Sequence, residues 1–87
     1  MKNEIVTVLG KPYEIEYVDE ARSCGTMGCA DRGNQHIMIN QDNGKDQIAE
    51  TILHEIIHII DQELLLELKE ETVARLAVGL YSAGYRR

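Results

Sequence analysis

The pentapeptide His54–His58, of sequence HEIIH, lies inside an apolar segment and constrains the fold of this chain more than any other feature. On a helix, residues four apart lie on one face, so the two imidazoles can converge on a single ion. Glu55 points along a neighbouring edge, from which its carboxylate can reach a water at the ion without being a ligand. The pattern predicts a helix that carries a zinc hydrolase site.

The residues around this pentapeptide indicate a helix that is buried on several sides. Its apolar members are Ile48, Ala49, Ile52, Leu53, Ile56, Ile57, Ile59 and Ile60. They cover most of the helix circumference and leave the histidine edge as a polar notch. Burying two imidazoles and a carboxylate is costly unless they are hydrogen-bonded or bound to a metal. The alternative interpretation is a buried helix whose histidines are satisfied by hydrogen bonds alone.

Length and charge limit the classes of function. A chain of 87 residues predicts one domain, residues 1–87, with room for only a shallow substrate cleft. The net charge of −6 and the scattered basic residues argue against a nucleic-acid partner. Because we find neither a secretory signal nor a membrane-length apolar segment, we expect no membrane association and a cytoplasmic location. The sequence does not indicate an oligomeric state.

Two cysteines, Cys24 and Cys29, flank a glycine-containing segment whose four-residue gap could close a disulfide or hold a soft metal. Since we expect a reducing compartment, free thiols are the prediction. A second zinc site here would need two more ligands, and only Asp31 and His36 are close in sequence. The segment is therefore interpreted as an ordinary loop.

Hydrophobic alternation in the first half predicts three short strands. Ile5–Leu9 and Tyr13–Val18 form a hairpin around a turn at Gly10–Pro12, and the third strand is 35–40. Residues 19–34 are expected to form a loop that borders the cleft. Within the third strand, Ile37–Ile39 is the expected sheet edge beside the active helix.

The second half predicts two helices. Asp42–Gly44 supplies turn and cap chemistry before a long helix over Lys45–Leu64, and a second helix follows over Lys69–Ser82. The apolar stripe of the second helix is Val73, Leu76, Ala77 and Leu80, which must pack on the first helix or on the sheet. The expected fold is α+β and zincin-like, with a three-stranded sheet, a buried HExxH helix and a C-terminal helix.

Two histidines make a weak zinc site, so the third protein ligand is decisive. In the metzincin pattern HExxHxxGxxH, Asp61 stands where glycine belongs and Leu64 where the last ligand belongs, so that pattern fails. The gluzincin arrangement takes a glutamate from a following helix. The available acids are Glu63, Glu67, Glu70 and Glu71.

Helical phase separates the two acids at the start of the second helix. At about 100° per residue, Glu70 lies roughly 70° from the centre of the apolar stripe and Glu71 lies roughly 170° away. Glu70 can face inward more easily and is the predicted third ligand. Glu71 stays as an alternative, because chain direction is still being set in the first turn of a helix.

At these residues the chain resembles the compact zincin-like metallopeptidases found among phage and prophage proteins, which are related to the ImmA/IrrE type. The matching segments are 51–58 (TILHEIIH) and 70–77 (EETVARLA), and the resemblance covers about half of the chain. The second family motif has the form Glu-x-x-Ala-Asn/Asp-x-Phe/Leu-Ala. The resemblance implies zinc held by His54, His58 and Glu70, and a peptide or protein substrate in a phage-infected or prophage-bearing bacterium.

The chain departs from this family motif at two positions, where Val73 and Ala74 replace the alanine and the Asn or Asp. The second departure removes a polar group that would orient a zinc-bound histidine in larger relatives. Asp61 lies on the same helix face as His54 and His58, and either takes over that orienting role or ligates the metal. The alternative is an exposed acid near the helix end.

The expected reaction is hydrolysis of a peptide bond. Zn²⁺ acidifies a bound water and polarises the scissile carbonyl, while Glu55 accepts the proton of the water and passes it to the leaving amine. A donor for the oxyanion is not obvious. The candidates are Tyr13, Tyr17, His36, Tyr81 and Tyr85. The alternative function is a non-catalytic, zinc-stabilised phage or prophage protein that binds a host protein.

Overall fold

A computed structural model, which describes residues 4–19 and 26–85, has four strands followed by two helices. The elements are β1 (Glu4–Val8), β2 (Lys11–Val18), β3 (Gly28–Asp31), β4 (His36–Asn40), α1 (Lys45–Leu64) and α2 (Glu70–Ser82). The sheet order is β1-β2-β4-β3. β2 and β4 run parallel, whereas the other two neighbouring pairs are antiparallel. The protein is thus a small α+β fold with a mixed sheet.

The expectation of three strands is wrong, because β3 lies inside the segment that was expected to be a loop. β3 is four residues long and has no apolar alternation, so its sequence carries no strand signal. It becomes a strand by antiparallel pairing with β4, with Gly28 opposite Ile39. As a result β4 lies inside the sheet, and the edge beside α1 is β3 rather than Ile37–Ile39.

The β1–β2 turn is also one residue earlier than expected. Val8 pairs with Lys11, so the two turn residues are Leu9 and Gly10, with φ of 51° and 82°. Positive φ at both central positions matches the twist of a two-residue hairpin. Lys11 and Pro12, expected in the turn, belong to β2.

One face of the sheet packs against α1 to form the main core. Its buried members are Val8, Tyr13, Ile15, Ile37 and Ile39 from the strands, and Ile52 and Ile59 from the helix. α1 has the predicted bounds, and Gly44 of the expected cap segment Asp42–Gly44 is its N-cap residue, without a side-chain cap hydrogen bond. Neither α1 nor α2 combines the length and apolar composition needed to cross a bilayer.

α2 packs on α1 alone and contacts no described strand. The interface is a small second cluster of Ile57, Val73 and Ala77, with Leu80 packed against it. Leu76, expected in the same stripe, is 45% exposed. α2 is therefore attached to the rest of the molecule through one narrow interface.

Tyr13 is expected to be a site where removing a polar atom stabilises the protein. Its side chain is 1% exposed, and its hydroxyl has no hydrogen-bond partner within the described residues. A buried unpaired hydroxyl costs about 1–3 kcal/mol. We expect Tyr13→Phe to raise the free energy of unfolding in urea by about 1 kcal/mol.

The matched control is Tyr17→Phe. The Tyr17 hydroxyl donates to Glu4 Oε1 at 2.6 Å in an exposed setting, so its loss should change stability by no more than about 0.5 kcal/mol. A destabilised Tyr13→Phe variant would mean that this hydroxyl has a partner.

Candidate metal centre

Three side chains from the two helices converge on one point. Nε2 of His54 lies 2.6 Å from Glu70 Oε1, and Nε2 of His58 lies 2.9 Å from Glu70 Oε2. The two Nε2 atoms are 3.1 Å apart. His54, His58 and Glu70 therefore form a group in which each residue directs one donor atom at the same place. Glu71, the alternative third ligand, is exposed and lies outside this group.

With Glu70 ionised, hydrogen bonds alone do not satisfy this group. A carboxylate only accepts, so each Nε2 must carry a hydrogen to bond Glu70. Two Nε2–H groups 3.1 Å apart then face each other with no acceptor between them. If either Nε2 is instead unprotonated, its lone pair faces a negatively charged oxygen of Glu70, and this contact is repulsive. A cation that takes a lone pair from all three atoms removes this conflict.

The distances between the donor atoms fit such an ion. Ligands at 2.0–2.1 Å around a tetrahedral zinc are separated by about 3.3 Å. The observed separations of 2.6, 2.9 and 3.1 Å are slightly shorter. A small outward movement of the Glu70 carboxylate, whose side chain is 68% exposed, would lengthen the two separations that involve Glu70 to that value, and the separation of 3.1 Å between the two histidines is already close to it. Two imidazoles and one carboxylate also match the ligand set of catalytic zinc sites, which keep a fourth position open.

α1 places the histidines by its regular spacing, and the α1–α2 connection places Glu70. His54 and His58 are one turn apart on one face of the helix. The Asp61 carboxylate accepts a hydrogen bond from the Leu68 amide at 3.0 Å, and the Asp61 carbonyl accepts one from the Leu66 amide at 3.0 Å. Asp61 thus orders the loop that leads into α2 instead of contacting a histidine or joining the ligand group.

Glu55 is the most buried carboxyl of the centre, at 8% exposure. Burial raises the pKa of this group above its ordinary value; the positive charge of His58 opposes the shift, and the negative charge of Glu70 adds to it. Glu55 nevertheless lines the same cleft as the three ligand residues. Its position, beside the ligands but not among them, is that of an acid–base group.

The group opens into a cleft of about 530 Å³ between α1 and β3. One wall is a column on α1, in which Glu50, His54, His58 and Gln62 follow at four-residue intervals. The other wall runs along 26–30. Residues 26–30 belong to the segment 19–34 that was expected to border the cleft, and they do line it. The expectation that this segment is only a loop is wrong, because it contains β3.

Gly28 is the point of closest approach between the two walls. A Cβ atom placed on it would lie 2.9 Å from Thr51 Cγ2 and 3.0 Å from the Met38 carbonyl oxygen. No larger residue fits there without moving the strand or the helix. The close approach of β3 to α1 at Thr51 thus depends on this glycine.

Cys29 lies in the β3 wall of the cleft and is bonded in a disulfide. The expectation of a free thiol is therefore wrong for this residue. The expectation came from the compartment, whereas the bond depends on how closely the chain brings two sulfurs together. Cys24 lies outside the described residues.

The five side chains proposed as oxyanion donors do not line the cleft. Tyr13 is buried in the core, Tyr17 bonds Glu4, and the Tyr81 hydroxyl bonds Asp46. Tyr85 is 64% exposed near the chain end. His36 is on the sheet, with its ring nitrogens 3.7 Å from Glu14 and 3.6 Å from Glu16.

Glu14, Glu16 and His36 form a second group of metal-ligating residue types. They alternate with buried residues of β2 and β4, so they lie on the sheet face opposite α1. Each ring nitrogen of His36 faces a different carboxylate. This geometry is that of an ion-pair network, unlike the convergence of Nε2 atoms at the first group.

Glu70 and Glu71 give a sharp test of the ligand set, because they are adjacent and identical in chemistry. Glu70→Gln is expected to weaken zinc binding by at least about 100-fold, since it removes the charged ligand. Glu71→Gln carries the same charge change outside the group and should leave zinc affinity unchanged. Competition with a chromophoric chelator measures both. Equal losses in the two variants would contradict the ligand assignment.

Comparison of this chain with protein-family models, with curated proteins and with solved structures gives no match.

Proposed function

We propose that this chain is a zinc-dependent hydrolase that cleaves peptide bonds. The observation that carries the proposal is the convergence of two Nε2 atoms, 3.1 Å apart, on the Glu70 carboxylate. The resemblance to compact zincin-like metallopeptidases of phage and prophage origin rests on the same residues. A zincin-like fold and a cytoplasmic location belong to this proposal.

His54, His58 and Glu70 would hold the zinc. When bound, zinc supplies a Lewis acid that lowers the pKa of water and polarises a carbonyl. Glu55 is the general base: it takes a proton from the attacking water onto its carboxylate and gives it to the leaving amine. Burial favours the neutral form of Glu55, and the positive charge of a cation at the neighbouring ligands favours the ionised form that the first step needs.

The substrate would lie along β3 as an added strand. Among the described residues β3 is an edge strand, and the outward backbone groups of Ala30 have no sheet partner, whereas those of Gly28 bond the Thr26 hydroxyl. A peptide that pairs there runs past the α1 column and brings a carbonyl toward His54 and His58. β3 thus replaces Ile37–Ile39 as the proposed substrate-binding edge, because Ile37–Ile39 lies on an inner strand.

A second candidate function is binding of a host protein without cleavage. It is favoured by one observation, namely that the cleft lining lacks all five candidate oxyanion donors. Without a donor for the developing charge, a hydrolase loses about 10²–10³ in rate. In this case zinc would stabilise the fold only.

One experiment distinguishes the two. Zinc content is measured on purified protein, and new peptide N-termini are counted after incubation of the zinc-loaded and the chelated protein with a denatured protein mixture. New N-termini that appear only with zinc support the hydrolase. Bound zinc without new N-termini supports the function as a binding protein. If the protein binds no zinc at neutral pH, both candidate functions are overturned.

A further inference from the structure

Glu50 stands in the cleft and has no described role in the centre. It lies one helical turn before His54 in the α1 column, is partly buried, and lines the cleft. Within the described part of the chain we find no hydrogen bond and no ion pair for its carboxylate. Its neighbours Gln47 and Thr51 bond each other instead, at 3.3 Å between Nε2 and Oγ1. Glu50 is thus a carboxylate without a partner beside the proposed substrate path.

The charge of the cleft shows what this carboxylate is suited to bind. Its lining contains three glutamates, Glu50, Glu55 and Glu70, and the lining that the structure describes contains no Lys or Arg. The two positive charges of a zinc ion would be balanced by Glu55 and Glu70. Glu50 then remains as the uncompensated negative charge, one turn away from the reacting carbonyl.

We propose that Glu50 selects peptides that carry a lysine or arginine next to the cleaved bond. This inference rests on the proposed function and adds its substrate class. A cationic side chain that reaches Glu50 from a strand on β3 gains an ion pair that is shielded once the peptide covers the cleft. The net charge of −6 attracts basic peptides in general, whereas Glu50 acts at one position.

The test measures binding rather than cleavage. Short labelled peptides of alanine and glycine carry, at regular intervals, either lysine, the uncharged isostere norleucine, or glutamate. Their affinities are measured by fluorescence anisotropy for zinc-loaded Glu55→Gln protein, which keeps the cleft and cannot act as a base. We expect the lysine peptide to bind about fivefold more tightly than the norleucine peptide, as for a partly shielded ion pair.

Two further variants in the Glu55→Gln background separate Glu50 from the general charge. Glu50→Gln should bind the lysine and norleucine peptides equally, and Glu50→Lys should prefer the glutamate peptide. Glu71→Gln, with the same charge change outside the cleft, should keep the lysine preference. The proposal is overturned if the lysine preference survives Glu50→Gln, or if it is absent with Glu50 intact. It is also overturned if Glu71→Gln loses the preference to the same extent, or if none of the three peptides binds.

Failure here is distinguishable from failure of the proposed function. Zinc-dependent cleavage without a basic preference would overturn the role of Glu50 and leave the hydrolase standing. A lysine preference that depends on Glu50, in a protein that cleaves nothing, would support the role of Glu50 and favour the binding protein.

Discussion

Replacing Glu55 by glutamine is expected to slow zinc-dependent peptide hydrolysis by about 10²–10⁴-fold while zinc content stays the same. The amide keeps the shape of the side chain but cannot accept the proton of the attacking water. Glu55 is not in the ligand group, so the metal site itself is unaltered. Initial rates on a quenched fluorescent peptide and zinc content by mass spectrometry check the two halves of this prediction.

Stability measurements show whether Glu55→Gln loses activity because it loses its fold. Burial raises the pKa of Glu55 in the folded state, so the unfolded chain ionises this carboxyl at a lower pH than the folded chain does. In the metal-free protein, Glu55 therefore lowers the free energy of unfolding at pH values above the pKa that it has in the folded state. This loss of stability is absent at pH values below the pKa that Glu55 has in the unfolded state. Metal-free Glu55→Gln should be at least as stable as the wild type at neutral pH, with no such advantage in acid. Retained hydrolysis by a folded Glu55→Gln variant would remove Glu55 as the base.

Chelating the zinc is expected to lower the melting temperature by about 15–30 °C. Zinc at about 1,000 times its dissociation constant adds about 4 kcal/mol to the folded state, and each kcal/mol shifts the melting temperature of a domain of this size by about 4–8 °C. The reason is structural: α2 is held to α1 by only a small apolar cluster, and Glu70 would tie the two helices through the ion.

Differential scanning calorimetry with and without a chelator measures the effect. Glu70→Gln is the control, because it should melt near the chelated wild type and respond little to added zinc. Equal melting temperatures of the wild type in zinc and in chelator would show that the centre does not bind the ion under these conditions.

The helices and the histidine spacing could be predicted because they depend on local pattern. α1 was expected over Lys45–Leu64 and has those bounds, since a continuous run of helix formers and apolar residues defines it. The phase argument favoured Glu70 over Glu71, and Glu70 contacts both histidines although it is exposed, whereas Glu71 lies outside the group.

The sheet edge could not be predicted, because it depends on pairing between distant segments. β3 has four residues, including Gly28 and Cys29, and no alternation that marks a strand. Its place next to β4 puts Ile37–Ile39 inside the sheet. The same pairing brings the 26–30 wall to α1 and creates the cleft, so the role of Glu50 was not visible in the sequence. Leu76 was misassigned because α2 packs on one helix only, which leaves part of its stripe in solvent.

The three converging side chains all come from one helical hairpin, in which His54 and Glu70 are 16 positions apart. The opposite wall of the cleft comes from β3, a separate piece of the chain. The candidate ligand group and the opposite wall are therefore encoded in separate segments, although Glu50, the proposed selectivity residue, is on α1 with the histidines. Mutations along β3 can reshape that wall without changing any of the three converging side chains, a division that makes even so small a scaffold easy to diversify.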